Sequence, residues 1–365
     1  MLGPDQHFFP HDPDVGSGAK AIRELTRGTV PRGFPGLQKR WNIMHPSQNL
    51  TVVGTGVLGG QIAWHSAYMG KTVVAYNPDP AELEKCRQAH ARLGETYKAD
   101  LGSSDAEIEA TKARLSYSTD LAAAVAKADI VIESVPEIPA VKTATYRDLA
   151  DALPAHTLLM SNSSTLMPSD FAQATGRPEK YCALHFANLI WKLNLVEIMG
   201  HAGTADSTYE TAVRFGIEIG MVPIPVAREN PGYVLNAWLD TMLNACQTLV
   251  TNGVSTPEDV DRTYLIANRG ATLPPFGILD VIGMNTMKNI WAYWGEKHGD
   301  AQMLRNAEYL DEHFISKGKT GVADGEGYYR YPDPAYAAAD FLAIPGLDKA
   351  AEIAALCRQA PEGGN

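Results

Sequence analysis

Residues 49–63 read NLTVVGTGVLGGQIA, and this stretch decides the fold. Positions 49–54 form a short apolar run of strand length. The turn Gly54-Thr55-Gly56-Val57-Leu58-Gly59-Gly60 follows, and helical spacing continues through Met69. Gly54 permits the tight turn, Gly56 lets backbone approach a pyrophosphate, and Gly59 lets the helix pack closely on the strand. Val57 and Leu58 then stand at a helix N-terminus that faces the phosphates. Taken alone, a GxGxxG is a weak signal, because glycines crowd many turns. Here a strand precedes it, a helix follows it and further βα units come after, which is the context that gives the motif meaning.

Working outward, TVVAY at 72–76 is a second strand and 81–93 a second helix, with further strands at 128–133 (ADIVIE) and 157–161 (TLLMS). Short strands alternating with helices predict a doubly wound α/β fold of Rossmann type, with a parallel sheet covered on both faces. The second strand of such a unit normally ends in an acid that binds the adenosine ribose. This chain has Tyr76-Asn77-Pro78-Asp79, which puts Asn77 at that position. No basic residue appears before Lys85 to neutralise a 2′-phosphate, so NAD (NADH) is expected and NADP is less favoured. After Pro231 strand signals stop and helical stretches take over at 232–252 and 257–268. The expected organisation is a poorly ordered extension at 1–47, a dinucleotide-binding and catalytic domain at 48–228, an all-helical substrate and dimerisation domain at 229–335, and a partly ordered tail at 336–365. Met44, just ahead of the first strand, would also make a sensible first residue.

The 365 residues carry 31 Lys+Arg against 42 Asp+Glu, and that net charge of −11 argues against a nucleic-acid binder. No uncharged apolar run approaches the roughly 18 residues of a membrane span. The four cysteines, Cys86, Cys182, Cys246 and Cys357, are scattered without a CxxC pair. No metal site or disulfide framework is therefore expected, and a reduced cytoplasmic compartment fits best. The N-terminus lacks the charged-then-apolar order of a secretory signal.

Candidate chemistry lies in 181–200, YCALHFANLIWKLNLVEIMG. If its two apolar runs pair as an antiparallel hairpin centred near Trp191, His185 and Glu197 become cross-strand neighbours. A carboxylate beside a histidine fixes its tautomer and stabilises the imidazolium, as a general acid/base requires. The bland alternative is a core histidine bonded to a carbonyl, with Glu197 in an unrelated ion pair. Ser161-Asn162-Ser163-Ser164-Thr165 sits at the carboxyl end of the 157–161 strand, the edge where open α/β sheets bind ligands. Those hydroxyls serve either a substrate oxygen or a helix cap. The 232–252 helix is apolar nearly all round, with a narrow polar stripe at Asn236, Asp240 and Asn244. It calls for burial in a core or a subunit interface. Asn236 is then a substrate ligand or a buried stripe residue.

Together these pieces resemble the L-3-hydroxyacyl-CoA dehydrogenase family over residues 49–331. The likeness rests on VVGTGVLGGQIA (52–63), ADIVIESVPE (128–137), SNSSTL (161–166), LHF (184–186), NPGYVLN (230–236), PPFGILDVIG (274–283) and GEGYYRY (325–331). The resemblance implies an NAD-dependent oxidoreductase that transfers hydride at C3 of an acyl chain, in acyl-CoA or fatty acid metabolism. It makes His185 and Glu197 the catalytic pair, Ser164 the contact to the reacting oxygen, and Asn236 a residue that positions the substrate. It makes Glu137 and Lys142 nicotinamide-side cofactor contacts, and it implies a homodimer. There are two departures. His185-Phe186-Ala187-Asn188 lacks the proline of the usual Phe-Asn-Pro stretch, and Asn77 replaces the ribose acid. The first is closer to the diketoreductase branch, which reduces β-keto and β,δ-diketo esters with NADH. The substrate is accordingly a CoA thioester or a non-CoA keto ester or acid. A sugar-nucleotide dehydrogenase would need a catalytic Lys or Cys that SNSSTL and LHF lack, and a non-catalytic scaffold would have shed the His–Glu pair.

Overall fold

The computed structural model describes residues 49–271 and 274–358; the expected 1–47 extension lies outside the described residues. Eight strands form one sheet: β1 Asn49–Val53, β2 Thr72–Tyr76, β3 Leu115–Ser118, β4 Ile130–Glu133, β5 Leu158–Ser161, β6 Tyr181–Phe186, β7 Leu195–Met199 and β8 Val222–Val226. Their order is β3-β2-β1-β4-β5-β6-β7-β8, parallel throughout except for the antiparallel β6–β7 pair. The helices of this unit are α1 Val57–Tyr68, α2 Pro80–Leu101, α3 Asp105–Ala113, α4 Leu121–Val125, α5 Pro139–Ala152, α6 Pro168–Phe171, α7 Asp206–Glu218 and α8 Leu235–Thr251. The strand order reverses between β1 and β4, so the glycine turn sits at the topological switch point where ligands enter such sheets.

The pleat assigns side chains to two faces. Leu50, Ile132, Met160, Leu184 and Phe186 point to one face and build the main core with Trp64 and Tyr97 of α1 and α2. Burying each of the aliphatic members is worth on the order of 2 kcal/mol relative to exposure. The alternate positions face a smaller core around Tyr146, Leu149 and Leu159.

Three sequence expectations needed correction. The helix placed at 81–93 runs on to Leu101. A Cβ at Gly94 would lie 3.1 Å from Ile108 and 3.6 Å from Trp64, so this glycine marks close helix packing and not an end. The helix stops at Gly102, which adopts φ 71. Strands β3 and β8 had no sequence assignment. β8 (VPIPV) is an edge strand whose alternate residues bond only to β7, so Pro223 and Pro225, lacking N–H groups, fall on the free side. The stretch at 232–234 is a turn and not helix, with φ 80 at Gly232 and φ 56 at Tyr233. By compactness, the described chain divides after residue 254. Described residues 49–254 and 344–358 form one compact unit, which retains α8.

Of the tail expected to be partly ordered, residues 344–358 belong to this same unit. α13, Ala350–Leu356, packs on α7, and Ala350, Ala354 and Cys357 are buried in the main core. The other unit, Ser255–Ala343, is helical, with α9 Pro257–Ala267, α10 Pro275–Ile282, α11 Met284–His298 and α12 Ala301–His313. Its GEGYYRY segment wraps a buried carboxylate. Asp280, 1% exposed, accepts the Tyr328 and Tyr329 amides at 2.8 and 2.9 Å and the Tyr331 hydroxyl at 2.9 Å. Among the described residues no helix is long and apolar enough to cross a membrane.

Candidate active site

The second sheet face carries a polar row at its carboxyl edge. Pleat alternation puts Glu133 of β4, Ser161 of β5 and His185 of β6 on this face with Glu197 of β7, all four buried. His185 stands directly opposite Glu197 in the β6–β7 register, as the hairpin reading requires. Its Nδ1–H donates to Glu197 Oε2 at 2.8 Å, which leaves the Nε2 lone pair as the reactive position. Nε2 has no protein partner among the described residues. The Tyr233 ring stacks on the imidazole with centroids 4.8 Å apart and 28° between planes.

Glu197 is held from a second direction. Its Oε1 accepts the amides of Val234 and Leu235, both at 2.8 Å. These are donors that the start of α8 cannot satisfy internally, and the helix field there favours a negative charge. The left-handed turn at Gly232 and Tyr233 aims those amides at the strand, at a cost of about 1 kcal/mol for the non-glycine residue. Asn236 follows one residue later in the first turn of α8, half-buried, with no side-chain bond among the described residues. Ser164 lies three residues past β5 at the edge shared with β6; it is half-buried, and its hydroxyl has no partner among the described residues.

The glycine turn fits a dinucleotide. A Cβ at Gly54 would press on Ser134 and lie 2.8 Å from the Val135 nitrogen, so only glycine closes β1 against β4. At Gly56 a Cβ would meet nothing within 4 Å, the open space that a phosphate needs. No side chain caps the start of α1, and its first turn holds no acid. Val57 there is exposed and Leu58 partly so. A Cβ at Gly59 would collide with the Gly54 carbonyl, so this position needs glycine for the close packing of α1 on β1. Asn77 donates from Nδ2 to Thr55 Oγ1 at 3.0 Å and so braces the glycine turn. Asp79 caps α2 through the Ala81 amide at 2.8 Å.

Glu137 and Lys142 are the two expected nicotinamide-side contacts, and Lys142 is the buried one. It is 1% exposed, and its ammonium lies 2.8 Å from Glu133 and 3.2 Å from Glu137, inside the protein. Sequence reasoning also missed Glu133, Asn162, Gln61, Asp100 and Tyr233. Asn162 Oδ1 accepts the Phe186 amide at 3.0 Å and fixes the end of β6. Gln61 Oε1 accepts the Leu189 amide at 2.9 Å, and Asp100 accepts Trp191 Nε1 at 2.8 Å; between them they pin the loop after His185. The one available signal was Glu133, a lone acid closing the apolar run ADIVIE.

Residues 49–230 match the family described as 3-hydroxyacyl-CoA dehydrogenase, NAD binding domain, and residues 232–331 match its C-terminal domain. The chain belongs to the 3-hydroxyacyl-CoA dehydrogenase family. It is thus an NAD-binding oxidoreductase of the kind that acts on a CH–OH group. Human mitochondrial hydroxyacyl-coenzyme A dehydrogenase is 30% identical over 293 residues, 78% of this chain and 91% of that protein. A 5-formyl-3-hydroxy-2-methylpyridine 4-carboxylate 5-dehydrogenase from Mesorhizobium japonicum is 28% identical over 286 residues, 78% of this chain and 91% of its own. Among solved structures, a diketoreductase that acts on dicarbonyl compounds is 41% identical, with a TM-score of 0.58, covering 79% of this chain and 100% of that one.

Proposed function

We propose that this family member is an NAD(H)-dependent 3-hydroxyacyl dehydrogenase that runs as a 3-keto reductase in the reverse direction. The observation that carries the reading is the buried His185–Glu197 pair, with Nε2 free at the ligand edge of the sheet. The nicotinamide cofactor supplies or accepts the hydride when bound, held by Gly54, Gly56, Val57 and Leu58 at the start of α1 and by Asn77 on the ribose side. NAD is preferred to NADP, since the next basic side chains, Lys85 and Arg87, are paired with Glu82 and Glu84.

The protein's own groups handle the proton and the geometry. In reduction His185 donates its Nε2 proton to the C3 oxygen, and in oxidation it takes that proton back. Glu197 stabilises the imidazolium, and the two α8 amides hold its other oxygen in place. Ser164 and Asn236 hold the reacting oxygen and the acyl chain. Val234, just before α8, and Trp238 and Leu249 on it are 46, 53 and 42% exposed, an apolar surface suited to a second copy of the chain. Light scattering in solution is expected to read twice the chain mass, and a monomer at micromolar concentration would refute the homodimer.

A second reading keeps the chemistry and changes the substrate to a non-CoA β-keto or β,δ-diketo ester or acid. It is supported by the proline-free loop at 187–193, pinned by Gln61 and Asp100, and by the 41% identity to a diketoreductase. Initial rates of NADH loss with acetoacetyl-CoA and with a 3,5-diketo ester at matched concentration decide between them. Turnover of the thioester upholds the first reading, and turnover confined to the ester upholds the second. Silence with both, using NADH and then NADPH, would overturn the assigned chemistry.

A further inference from the structure

One turn of the chain reaches both members of the His185–Glu197 pair. In the β6–β7 register Ala183 stands opposite Met199, and His185 stands opposite Glu197. Residues two apart share a face of a strand, so these two cross-strand pairs lie side by side. The Tyr233 ring packs over the first pair, in a small cluster with Ala183, Met199 and Val226. Its face meets the second pair, stacked on the His185 imidazole with 4.8 Å between centroids and 28° between planes. The next two residues of the chain, Val234 and Leu235, send their amides to Glu197.

The backbone is bent to achieve this. Tyr233 adopts φ 56, a left-handed conformation that bulky side chains avoid. Such a residue persists only where its surroundings over-determine it. Asn230 supplies that constraint. Its Nδ2 donates to the Tyr233 carbonyl at 2.8 Å and to the Pro231 carbonyl at 3.1 Å, and its own carbonyl accepts the Tyr233 amide at 3.0 Å. The Asn230 amide donates to Met199 Sδ at 3.3 Å, which ties the turn to β7. The Tyr233 hydroxyl, by contrast, is buried without a partner among the described residues. Neither the left-handed backbone nor that hydroxyl favours stability, so the ring face is what this position supplies.

The bond from His185 Nδ1 to Glu197 fixes one point of the imidazole and leaves the ring free to swing about it. A stacked aromatic fixes the plane, and the two contacts together set the direction of Nε2. We infer that Tyr233 is a positioning residue: its ring holds the His185 imidazole in the plane that aims Nε2 at the reacting oxygen. This rests on the proposed acid/base role of His185.

A double-mutant cycle tests it, using Tyr233→Leu, His185→Gln and the combined variant, with Tyr233→Phe beside them. The readouts are kcat, KM, and the NADH Kd from a fluorescence titration. Tyr233→Leu should lower kcat on the order of tenfold to a hundredfold, the scale of a misplaced catalytic group. Tyr233→Phe keeps the ring and should rescue kcat to within about twofold of the parent, since the hydroxyl bonds to nothing. In the His185→Gln background the Leu change should cost no more than about twofold, because it acts through the imidazole. NADH Kd should stay within about threefold of the parent throughout. Multiplying losses in the combined variant would overturn the inference, as would a fall in Tyr233→Phe as deep as in Tyr233→Leu, or an NADH Kd weakened in step with kcat/KM. A loss in His185→Gln beside unchanged kcat in Tyr233→Leu would sink the positioning role alone. Unchanged kcat in His185→Gln would sink the acid/base reading and the inference with it. Tyr233→Asn accepts the left-handed backbone without the ring, so it carries the same cycle if Tyr233→Leu fails to fold.

Discussion

His65 and His90 lie on one side of the sheet and His185 on the other, and all three are 2% exposed. Burial therefore does not separate them; their partners do. His65 meets Tyr97 OH at 2.7 Å through Nδ1 and the Ile219 carbonyl at 2.9 Å through Nε2. His90 meets Tyr117 OH at 2.7 Å through Nδ1 and the Gly60 carbonyl at 2.9 Å through Nε2. Both rings use both nitrogens inside the protein and face no carboxylate, so desolvation pushes each pKa down to about 4. His185 spends one nitrogen on a carboxylate and keeps the other free. A histidine bonded at both ends to neutral groups is a structural strut. One bonded to an anion at a single end can carry a proton.

The largest effect expected from this contrast is at His185. His185→Gln keeps a donor for Glu197 but cannot exchange a proton, so kcat should fall on the order of a thousandfold. NADH affinity and thermal stability should stay near those of the parent. Retained turnover in this variant, measured by NADH loss, would end the acid/base assignment.

A smaller effect is expected from the other pair, in stability and not in rate. The folded pKa values of His65 and His90, about 4, lie below the ordinary 6.5, so the unfolded chain binds more protons between those limits. Stability should therefore be fully present above about pH 6.5 and decline as pH falls toward 4, by up to about 3 kcal/mol per histidine. Urea midpoints across this range check it. Replacing both residues with Gln should flatten the acid limb while kcat per folded molecule is kept. An unchanged acid limb in that variant would mean that other groups govern it.

Much of the fold could be read from the chain because it depends on local patterns. The glycine turn, β1, β2 and the His185–Glu197 register follow from spacing of two and about four residues and from a single hairpin. β8 went unseen because its two prolines argue against a strand until the free edge of the sheet is known. The reach of α2 past Gly94 went unseen because that glycine answers to Ile108 and Trp64, neither of them a helical neighbour. The return of α13 onto α7 crosses more than a hundred residues of chain, beyond any local periodicity.

The site divides in the same way. The sequence by itself carried the glycine turn after β1 and the hairpin register that can set a histidine opposite a glutamate, because strand period and turn geometry are short-range properties. Only the tertiary structure decided what holds them. The α8 amides on Glu197, the Gln61 and Asp100 bonds to the loop after His185, and the Glu133–Lys142–Glu137 series all join residues from separate elements. A buried charge must find its partners wherever packing brings them, and packing is a property of the whole fold.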